Sequence, residues 1–473
     1  MADQTPLVLD VDGTFLKTDM LLECWWAAMG RDPMATLRVS FIHFRDRAAL
    51  KSKLAQIAQI RTDLLPVNAD VAALAAAARA DGRTVVLASA SDVSLVQPLA
   101  DHHDMGGRIF ASDGHVNLKG TAKADALVAA YGEGGFDYAG NDASDLAIWK
   151  HADKAIVVGD VAGVSQLGNV TQVPGGWANR DVLRAMRPHQ WVKNVLLFLP
   201  MLAAHQFGLA TLGLVMLGIA AFSAAASCIY IVNDLLDLEA DRLHATKCRR
   251  PFASGAVPIG VGMAACVALG VVALGIGALL GTAFLTVVVT YMILSLAYSL
   301  RLKRMRWIDI AVLASLYTLR VVAGAAASGV DASIFMLIFI FPVFITLGCV
   351  KRMTELALAT DDAHLPGRGY GRQDRGDLLN MSVIGMVGAL VIFFLYSHSD
   401  QAHALYPTKW LMWVALLPIA GWLFRMIRLG YQGKQDYDPI VFALRDKRGI
   451  GLLLITLALM FYSAGIWQQL FGF

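Results

Sequence analysis

The run LVLDVDGT, residues 7–14, sets two carboxylates, Asp10 and Asp12, on alternate positions after a short apolar segment. At the carboxyl end of a parallel strand, such residues stand where α/β folds bind ligands. One carboxylate can attack phosphorus, the other can carry a proton, and a magnesium ion can offset the charge between carboxylates and phosphate. Three later fragments supply the remaining parts. VVLASAS, residues 85–91, ends an apolar run in Ser89, a hydroxyl suited to a phosphate oxygen. Lys123, in KGTAK, offers the fixed positive charge that phosphoryl transfer needs. GNDASD, residues 140–145, adds Asp142 and Asp145. Taken singly, Ser89 reads equally as a helix cap, Lys123 as a solvated lysine and Asp142 as a helix start. Their order, each at the end of an apolar run or beside one, favours a phosphate-handling site.

A second acidic constellation is NDLLDLEADR, residues 233–242. Asp234, Asp237 and Asp241 are spaced i, i+3, i+7 and share one face of a helix. They repel one another unless cations lie between them, and Lys247, Arg249 and Arg250 follow at once. Carboxylates holding magnesium beside lysine and arginine make a diphosphate site, with Asn233 orienting them. The plainer alternative is a solvated helix end. Arg320 interrupts the apolar run YTLRVVAG, residues 317–324, and either faces an interior polar cavity or snorkels to an interface. KRMTEL, residues 351–356, joins Lys351, Arg352 and Glu355. Its alternative is ordinary basic decoration of a membrane loop.

These groups need two kinds of scaffold. The chain has 473 residues, too many for one ordinary domain; it is 57% hydrophobic and 16% charged. Soluble globular chains carry roughly 25% charge, so neither a wholly soluble nor a disordered protein fits. A net charge of +3 gives no reason to expect a nucleic-acid partner. The five cysteines show neither CxxC spacing nor a pairing pattern. Residues 1–170 read as a soluble α/β domain, with buried strands at 6–9, 84–88, 136–139 and 155–158. The long helical stretch from 19 to about 68 reads as an inserted cap. Its Trp25 and Trp26 belong either to the core or on a membrane surface. Residues 171–186 read as a linker, and 187–473 as an all-α polytopic membrane domain. Nine spans are expected, near 191–206, 209–232, 260–281, 283–300, 307–327, 333–350, 378–397, 410–429 and 449–470. Basic residues crowd alternate loops, which puts those loops on the cytoplasmic side. The N-terminus carries no signal-peptide pattern and is expected on the same side, with the chain in the inner (cytoplasmic) membrane.

Residues 6–160 resemble the haloacid dehalogenase (HAD) superfamily of aspartate-nucleophile phosphatases, whose four motifs match in order. The resemblance implies a Rossmann-like domain with a first-position cap. It implies Asp10 as nucleophile and Asp12 as general acid/base, with Ser89 and Lys123 holding phosphate. Asp142 would bind magnesium with Asp10, and Asp145 would support the metal or Lys123.

Residues 185–470 resemble the UbiA superfamily of intramembrane prenyltransferases, through RPHQWVKN at 187–194, the NDLLDLEAD run and KCRRPFASG at 247–255. That family implies nine helices around a lipid-open cavity with a cytoplasmic mouth. Aromatic-substrate members carry a second acidic motif, DxxxD. Here Asp361 and Asp362 lack its spacing, and KRMTEL with DPIVFALRDK at 438–447 stand instead. These look like the decaprenyl-phosphate phosphoribosyltransferase branch, apart from Ala245, where that branch has proline. The branch implies phosphoribosyl diphosphate as donor and a polyprenyl phosphate as acceptor. Asp234, Asp237 and Asp241 would hold magnesium and diphosphate. Lys193, Lys247, Arg250, Arg320, Lys351, Arg352 and Arg445 would serve the substrates, and Glu355 the ribose hydroxyls. Joined, the two halves read as a transferase followed by a phosphatase that removes the 5-phosphate, for envelope or surface glycans. Three alternatives stand beside this: a prenyl diphosphate transferase with an aromatic or quinone acceptor, a transporter or lipid-binding scaffold, and a tethered phosphatase of unrelated substrate. A homo-oligomer is compatible with the sequence.

Overall fold

The computed structural model of the protein describes residues 5–105, 108–330, 333–359, 368–435 and 438–471. Asp361 and Asp362 lie outside the described residues. The chain forms two compact units, Met1–Met186 with Tyr230–Val267, and Arg187–Ile229 with Ala268–Phe473. The acidic run at 233–242 therefore belongs to the first unit, with the N-terminal sheet.

That sheet has six parallel strands: β1 (Leu7–Asp10), β2 (Val85–Asp92), β3 (Phe110–Ser112), β4 (Asp137–Gly140), β5 (Lys154–Val158) and β6 (Val170–Val173). Their order is β3-β2-β1-β4-β5-β6. Chain order reverses direction at the β1–β4 junction, the place where open α/β sheets bind ligands at their carboxyl ends. Alternate side chains feed two cores, as a period of two requires. Leu7, Leu9, Val85, Leu87, Ile156 and Val158 pack on one face, and Val8, Val86, Tyr138, Ala155 and Val157 on the other.

The sequence reading found four strands. It misses β3, only three residues long, and ends the domain at 170, so that the linker starts inside residues 170–173. They are instead the edge strand, paired to β5 from Ala155↔Val170 to Val158↔Val173. An edge strand half open to solvent lacks the continuous apolar run that marked the others.

Three α-helices lie between β1 and β2 within the stretch read as an inserted cap. They are α1 (Met20–Arg31), α2 (Pro33–Ile42) and α3 (Arg47–Ala58). Each starts on an aspartate whose carboxylate accepts a backbone N–H: Asp19 from Leu22, Asp32 from Ala35 and Asp46 from Ala49, all at 3.0 Å. Trp26 is buried and the Trp25 indole donates to Ser40 Oγ at 3.2 Å, so both tryptophans serve the interior of the cap. Helices α4 (Ala69–Ala80), α5 (Val93–His102), α6 (Thr121–Tyr131), α7 (Leu146–Trp149) and α8 (Asn179–Ala185) complete the N-terminal part.

Among the described residues, seven helices are long and apolar enough to cross a membrane: Leu209–Leu236, Ile259–Leu279, Thr282–Leu300, Ile308–Ser328, Ile334–Leu358, Arg372–Tyr396 and Lys409–Tyr431. Outward-facing Ile293, Ile384 and Leu417 are mostly exposed, as lipid-facing side chains are. The chain is an integral membrane protein. The other two expected spans take different forms. The first is a 3-10 segment, Pro188–Phe198, followed by the short helix Leu199–Ala203, which opens on Pro200. The last is a 17-residue helix, Lys447–Ser463, stopped at Gly465 and followed by Ile466–Phe471. Seventeen residues give about 26 Å of helix, short of a roughly 30 Å hydrocarbon core.

Candidate functional sites

At the β1–β4 junction the four N-terminal fragments converge. Lys123 Nζ reaches Asp10 Oδ1 at 2.6 Å and donates to the Tyr138 hydroxyl at 3.1 Å. Tyr138 in turn donates to Asp145 Oδ1 at 3.0 Å. The other Asp145 oxygen accepts the backbone N–H groups of Asn141 and Asp142, at 3.1 and 3.0 Å. Asp145 thus orients Lys123 through Tyr138 and holds the loop that carries Asp142. Asp12 Oδ2 accepts from Ser89 at 3.2 Å and Ser91 at 2.9 Å, and its Oδ1 accepts Met20 N–H at 2.7 Å. The cap helix α1 is thereby tied to the candidate acid/base at its first residue. Asp10, Ser89, Lys123 and Asp145 are all buried, while Asp142 is exposed. Burial pushes the Asp10 carboxyl up to about 7 against the pull of Lys123. Hydrogen bonds from Ser144 hold Asp142 below the usual carboxylate range.

Gly13 makes the turn possible. Its φ is +78°, and a Cβ there would lie 2.2 Å from Asn141 Nδ2. Gly13→Ala should therefore destabilise this unit by about 1–3 kcal/mol, from left-handed strain plus the clash. A two-degree or larger fall in melting temperature relative to a Gly114→Ala control, also at positive φ but with only the Ser52 side chain at 3.4 Å, checks it.

In the acidic segment, Asp234 and Asp241 are buried and converge as their spacing predicts. The cation between them is Arg250, whose Nη1 lies 3.1 Å from Asp234 Oδ1 and 2.6 Å from Asp241 Oδ2. The helix breaks at Asp237, between Leu209–Leu236 and Leu238–Leu243, although Asp241 N–H still donates to Asp237 O at 2.8 Å. Burial raises the Asp241 carboxyl above its ordinary range, opposed by Arg250. Asn233 and Asp237 are half-buried and Lys247 is exposed. The neighbouring Arg242 forks onto Glu23 of α1, at 3.1 and 2.5 Å.

Among the described residues, no three His, Cys, Asp or Glu side chains stand close enough to hold a metal ion. The donors at both acidic sites are nevertheless hard carboxylate oxygens. Magnesium takes such ligands one or two at a time and completes its shell with water and substrate phosphates. The residues present fit that ion.

In the second unit, Lys193 pairs with Asp438 Oδ2, which also lies 3.9 Å from Lys351 Nζ and accepts from the Tyr317 hydroxyl at 3.4 Å. Burial alone would raise the Asp438 carboxyl, but Lys193 and Lys351 hold it down at about 2. The chain segments that carry this cluster also line an apolar cavity of about 480 Å³. Its lining residues Leu196, Leu347 and Ile440 follow or precede Lys193, Lys351 and Asp438 by no more than one helical turn. Arg445 is exposed.

Two arginines expected to serve substrates have protein partners. Arg320 is buried and faces the bundle interior. It donates to Asn194 Oδ1, Leu316 O and Tyr291 OH at 3.1, 2.7 and 3.1 Å, with the Tyr291, Tyr317 and Phe222 rings 5.0, 5.6 and 5.7 Å away. Arg352 is fully buried and bonds Asp309 with both Nε and Nη2, Tyr298 OH at 2.9 Å, and Glu355. In this arrangement it holds Glu355 in place. Removing one partner of such a pair leaves the other buried and unpaired, which costs about 3–5 kcal/mol. Arg352→Met should lower thermal stability in detergent to that extent, and Arg352→Met with Asp309→Leu should recover part of the loss.

The sequence reading did not assign Tyr138, Asn141, Ser91, Glu23 or Asp309. Asp309 carried a signal, an acid at the start of an apolar span; Tyr138 carried none, lying between Asp137 and Ala139 inside a strand. Asp438 was part of a quoted motif but had no role.

The UbiA prenyltransferase family model matches residues 194–447. The chain is 36% identical to the uncharacterized protein y4nM of Sinorhizobium fredii, over 96% of this chain and 90% of that one. It is 30% identical to the nodulation protein NoeC of Azorhizobium caulinodans, over 59% of this chain and 91% of that one. It is 40% identical to the decaprenyl-phosphate phosphoribosyltransferase of Mycobacterium tuberculosis over 197 residues, 40% of this chain and 64% of that protein. Among solved structures, a UbiA homolog from Archaeoglobus fulgidus bound to GPP and Mg2+ covers 59% of this chain and 99% of its own at a TM-score of 0.45 and 16% identity. With a family match that spans more than half of its length, this chain belongs to the UbiA prenyltransferase family.

Proposed function

We propose that the protein transfers 5-phosphoribose from phosphoribosyl diphosphate to a polyprenyl phosphate, and that its N-terminal domain, a HAD-type phosphatase, then removes the 5-phosphate. The observation that carries the transferase reading is the Lys193–Asp438–Lys351 cluster, whose three chain segments also line an apolar cavity. A lipid phosphate needs both a charged clamp for its head and an apolar channel for its tail. The 40% identity to a decaprenyl-phosphate phosphoribosyltransferase supports the same donor and acceptor.

Lys193 and Lys351 hold the lipid phosphate, with Asp438 setting their positions, and Lys247 and Arg445 add charge at the phosphates. One lipid phosphate oxygen attacks C1 of the donor ribose. The bond from C1 to the diphosphate oxygen breaks, and diphosphate leaves. Asp234, Asp237 and Asp241 hold the magnesium diphosphate, with Asn233 beside them. Arg250 turns from the carboxylates to the departing charge. Arg352 positions Glu355 for the ribose hydroxyls, and Arg320 keeps Asn194 and the Pro188–Phe198 segment in place. Magnesium, when bound, would offset phosphate charge at each site; in the N-terminal domain Asp10 and Asp142 would hold it.

In that domain Asp10 attacks the 5-phosphate while Lys123 and Ser89 hold its oxygens. The bond from phosphorus to O5 breaks, and Asp12 gives the leaving oxygen its proton. Asp12 then takes a proton from the water that frees Asp10.

The cavity yields a prediction of its own. Met336→Trp, about four helical turns before Lys351 on the same helix, should shorten the far end of the cavity and raise KM for a long-chain polyprenyl phosphate about tenfold, leaving a short-chain analogue unchanged. Steady-state rates with both acceptors check it. The function itself is tested with purified protein, magnesium, ribose-labelled phosphoribosyl diphosphate and a polyprenyl phosphate. Label entering the organic phase is expected. Consumption of a prenyl diphosphate with an aromatic acceptor, and no ribose transfer, would replace this reading with the alternative donor chemistry.

A further inference from the structure

The cap turns an apolar stripe outward. Met34, Leu37, Phe41 and Phe44 are spaced i, i+3, i+7, i+10 along α2 and the turn after it, and they are 77%, 50%, 82% and 59% exposed. Such a run on the outer face of a helix is the reverse of what a soluble domain presents to water. The inner face of α2 is already occupied. Thr36 is buried and bonds Asp32 O at 2.7 Å, and Ser40 accepts from Trp25. The helix has no means of rolling the stripe inward.

The same unit fixes where this helix lies. Gly30 of α1 lies so near Leu236, the last residue of one membrane-spanning helix, that a Cβ on it would come within 3.7 Å of the Leu236 carbonyl oxygen. A Cβ on Gly260, the second residue of the next, would lie 3.8 Å from the Leu22 side chain. Glu23, 3% exposed, accepts the Arg242 fork just beyond the first of those ends, and Arg242 Nε donates to Ala253 O at 3.1 Å. Only Asp32 separates α1 from α2. A helix bound this closely to two membrane-helix ends lies at the level of the lipid headgroups.

Charge selects the same surface. Residues 31–47 hold four arginines against two aspartates, and both aspartates are spent as helix caps. Arg38 and Arg45 flank the stripe, the latter 5.1 Å above the Phe44 ring. Arginines beside exposed phenylalanine and leucine are the composition of a helix lying in the interface of an anionic bilayer.

We infer that α2 is an interfacial anchor, which inserts Met34, Leu37, Phe41 and Phe44 into the headgroup and upper acyl region of an anionic leaflet while Arg38 and Arg45 contact lipid phosphates. The cap is then fixed at the bilayer surface, and the pocket around Asp10 and Asp12 is held where a lipid-borne substrate arrives. The anchoring itself does not depend on the phosphatase reading.

The test uses the full chain in liposomes of phosphatidylcholine alone or with phosphatidylglycerol. A photoreactive benzoylphenylalanine replaces Phe41, or Val116, an exposed apolar residue far from α2 in sequence, as control. Phe41 is open enough that the exchange leaves packing intact. Lipid adducts at position 41 should exceed those at 116 by at least about fivefold, and rise with phosphatidylglycerol. Adducts chiefly to a second copy of the chain would overturn the proposal in favour of a protein interface. Equal, low adduct yields at both positions would overturn it outright.

Discussion

Asp10→Asn should lower phosphate release by about three to four orders of magnitude while ribose transfer to lipid continues at the native rate. The substitution is close to isosteric. The amide oxygen still accepts from Lys123 Nζ, which lies 2.6 Å from Asp10 Oδ1, so Lys123 keeps a partner in a buried position. What is lost is the negative charge that attacks phosphorus. Asp12→Asn keeps one oxygen acceptor for Met20 N–H and turns its NH2 to the Ser89 and Ser91 hydroxyls, which can accept, but it cannot shuttle a proton, and about 10²–10⁴-fold should be lost. Both are read as inorganic phosphate released from a lipid-linked 5-phosphoribose, with a melting curve as the folding control. Native phosphate release from folded Asp10→Asn would remove Asp10 as nucleophile.

Asp234→Asn should lower the ribose transfer rate by about 10²–10³-fold, and the residual activity should need more magnesium. Asp234 is buried beside Asp241, and Arg250 satisfies both carboxylates in this arrangement. If the three groups were only a structural clamp, the variant would lose stability without changing its magnesium dependence. A clamp of this kind is disrupted more by Arg250→Leu, which leaves two carboxylates facing each other. Transfer rates over a magnesium titration, taken beside melting temperatures, separate the two roles. Native magnesium dependence in Asp234→Asn would refute metal binding there.

Short-range pattern carried much of this architecture. The buried strands β1, β2, β4 and β5 announced themselves as apolar runs, because both faces of a parallel sheet are covered. The helices α1–α3 between β1 and β2 were legible as an insertion from the length of the connection, since no simple crossover needs so many residues. Edge strand β6, with Val170 exposed and a polar Thr-Gln pair, had no such run. The candidate residues were legible by type and spacing, and the fold brings Lys123 to Asp10 and Ser89 to Asp12. What spacing could not show was pairing across distance. Arg352 read as a free cation at a helix end, yet it is committed to Asp309, 43 residues away. Arg250 read as a phosphate ligand, yet it bridges Asp234 and Asp241. Glu23 and Arg242, 219 residues apart, join the cap to the acidic segment without any local signal. Ion pairs of this sort depend on tertiary placement, which charge patterning along a chain does not encode.

The most direct measurement uses phosphoribosyl diphosphate labelled with 14C in the ribose and 32P at the 5-phosphate, supplied with magnesium and a polyprenyl phosphate. With the native protein, 14C should enter the lipid phase while 32P appears as inorganic phosphate. With Asp10→Asn, the two labels should enter the lipid together in equal molar amounts. Absence of 14C from the lipid would contradict the transferase, and 32P retained in the lipid by the native protein would contradict the phosphatase.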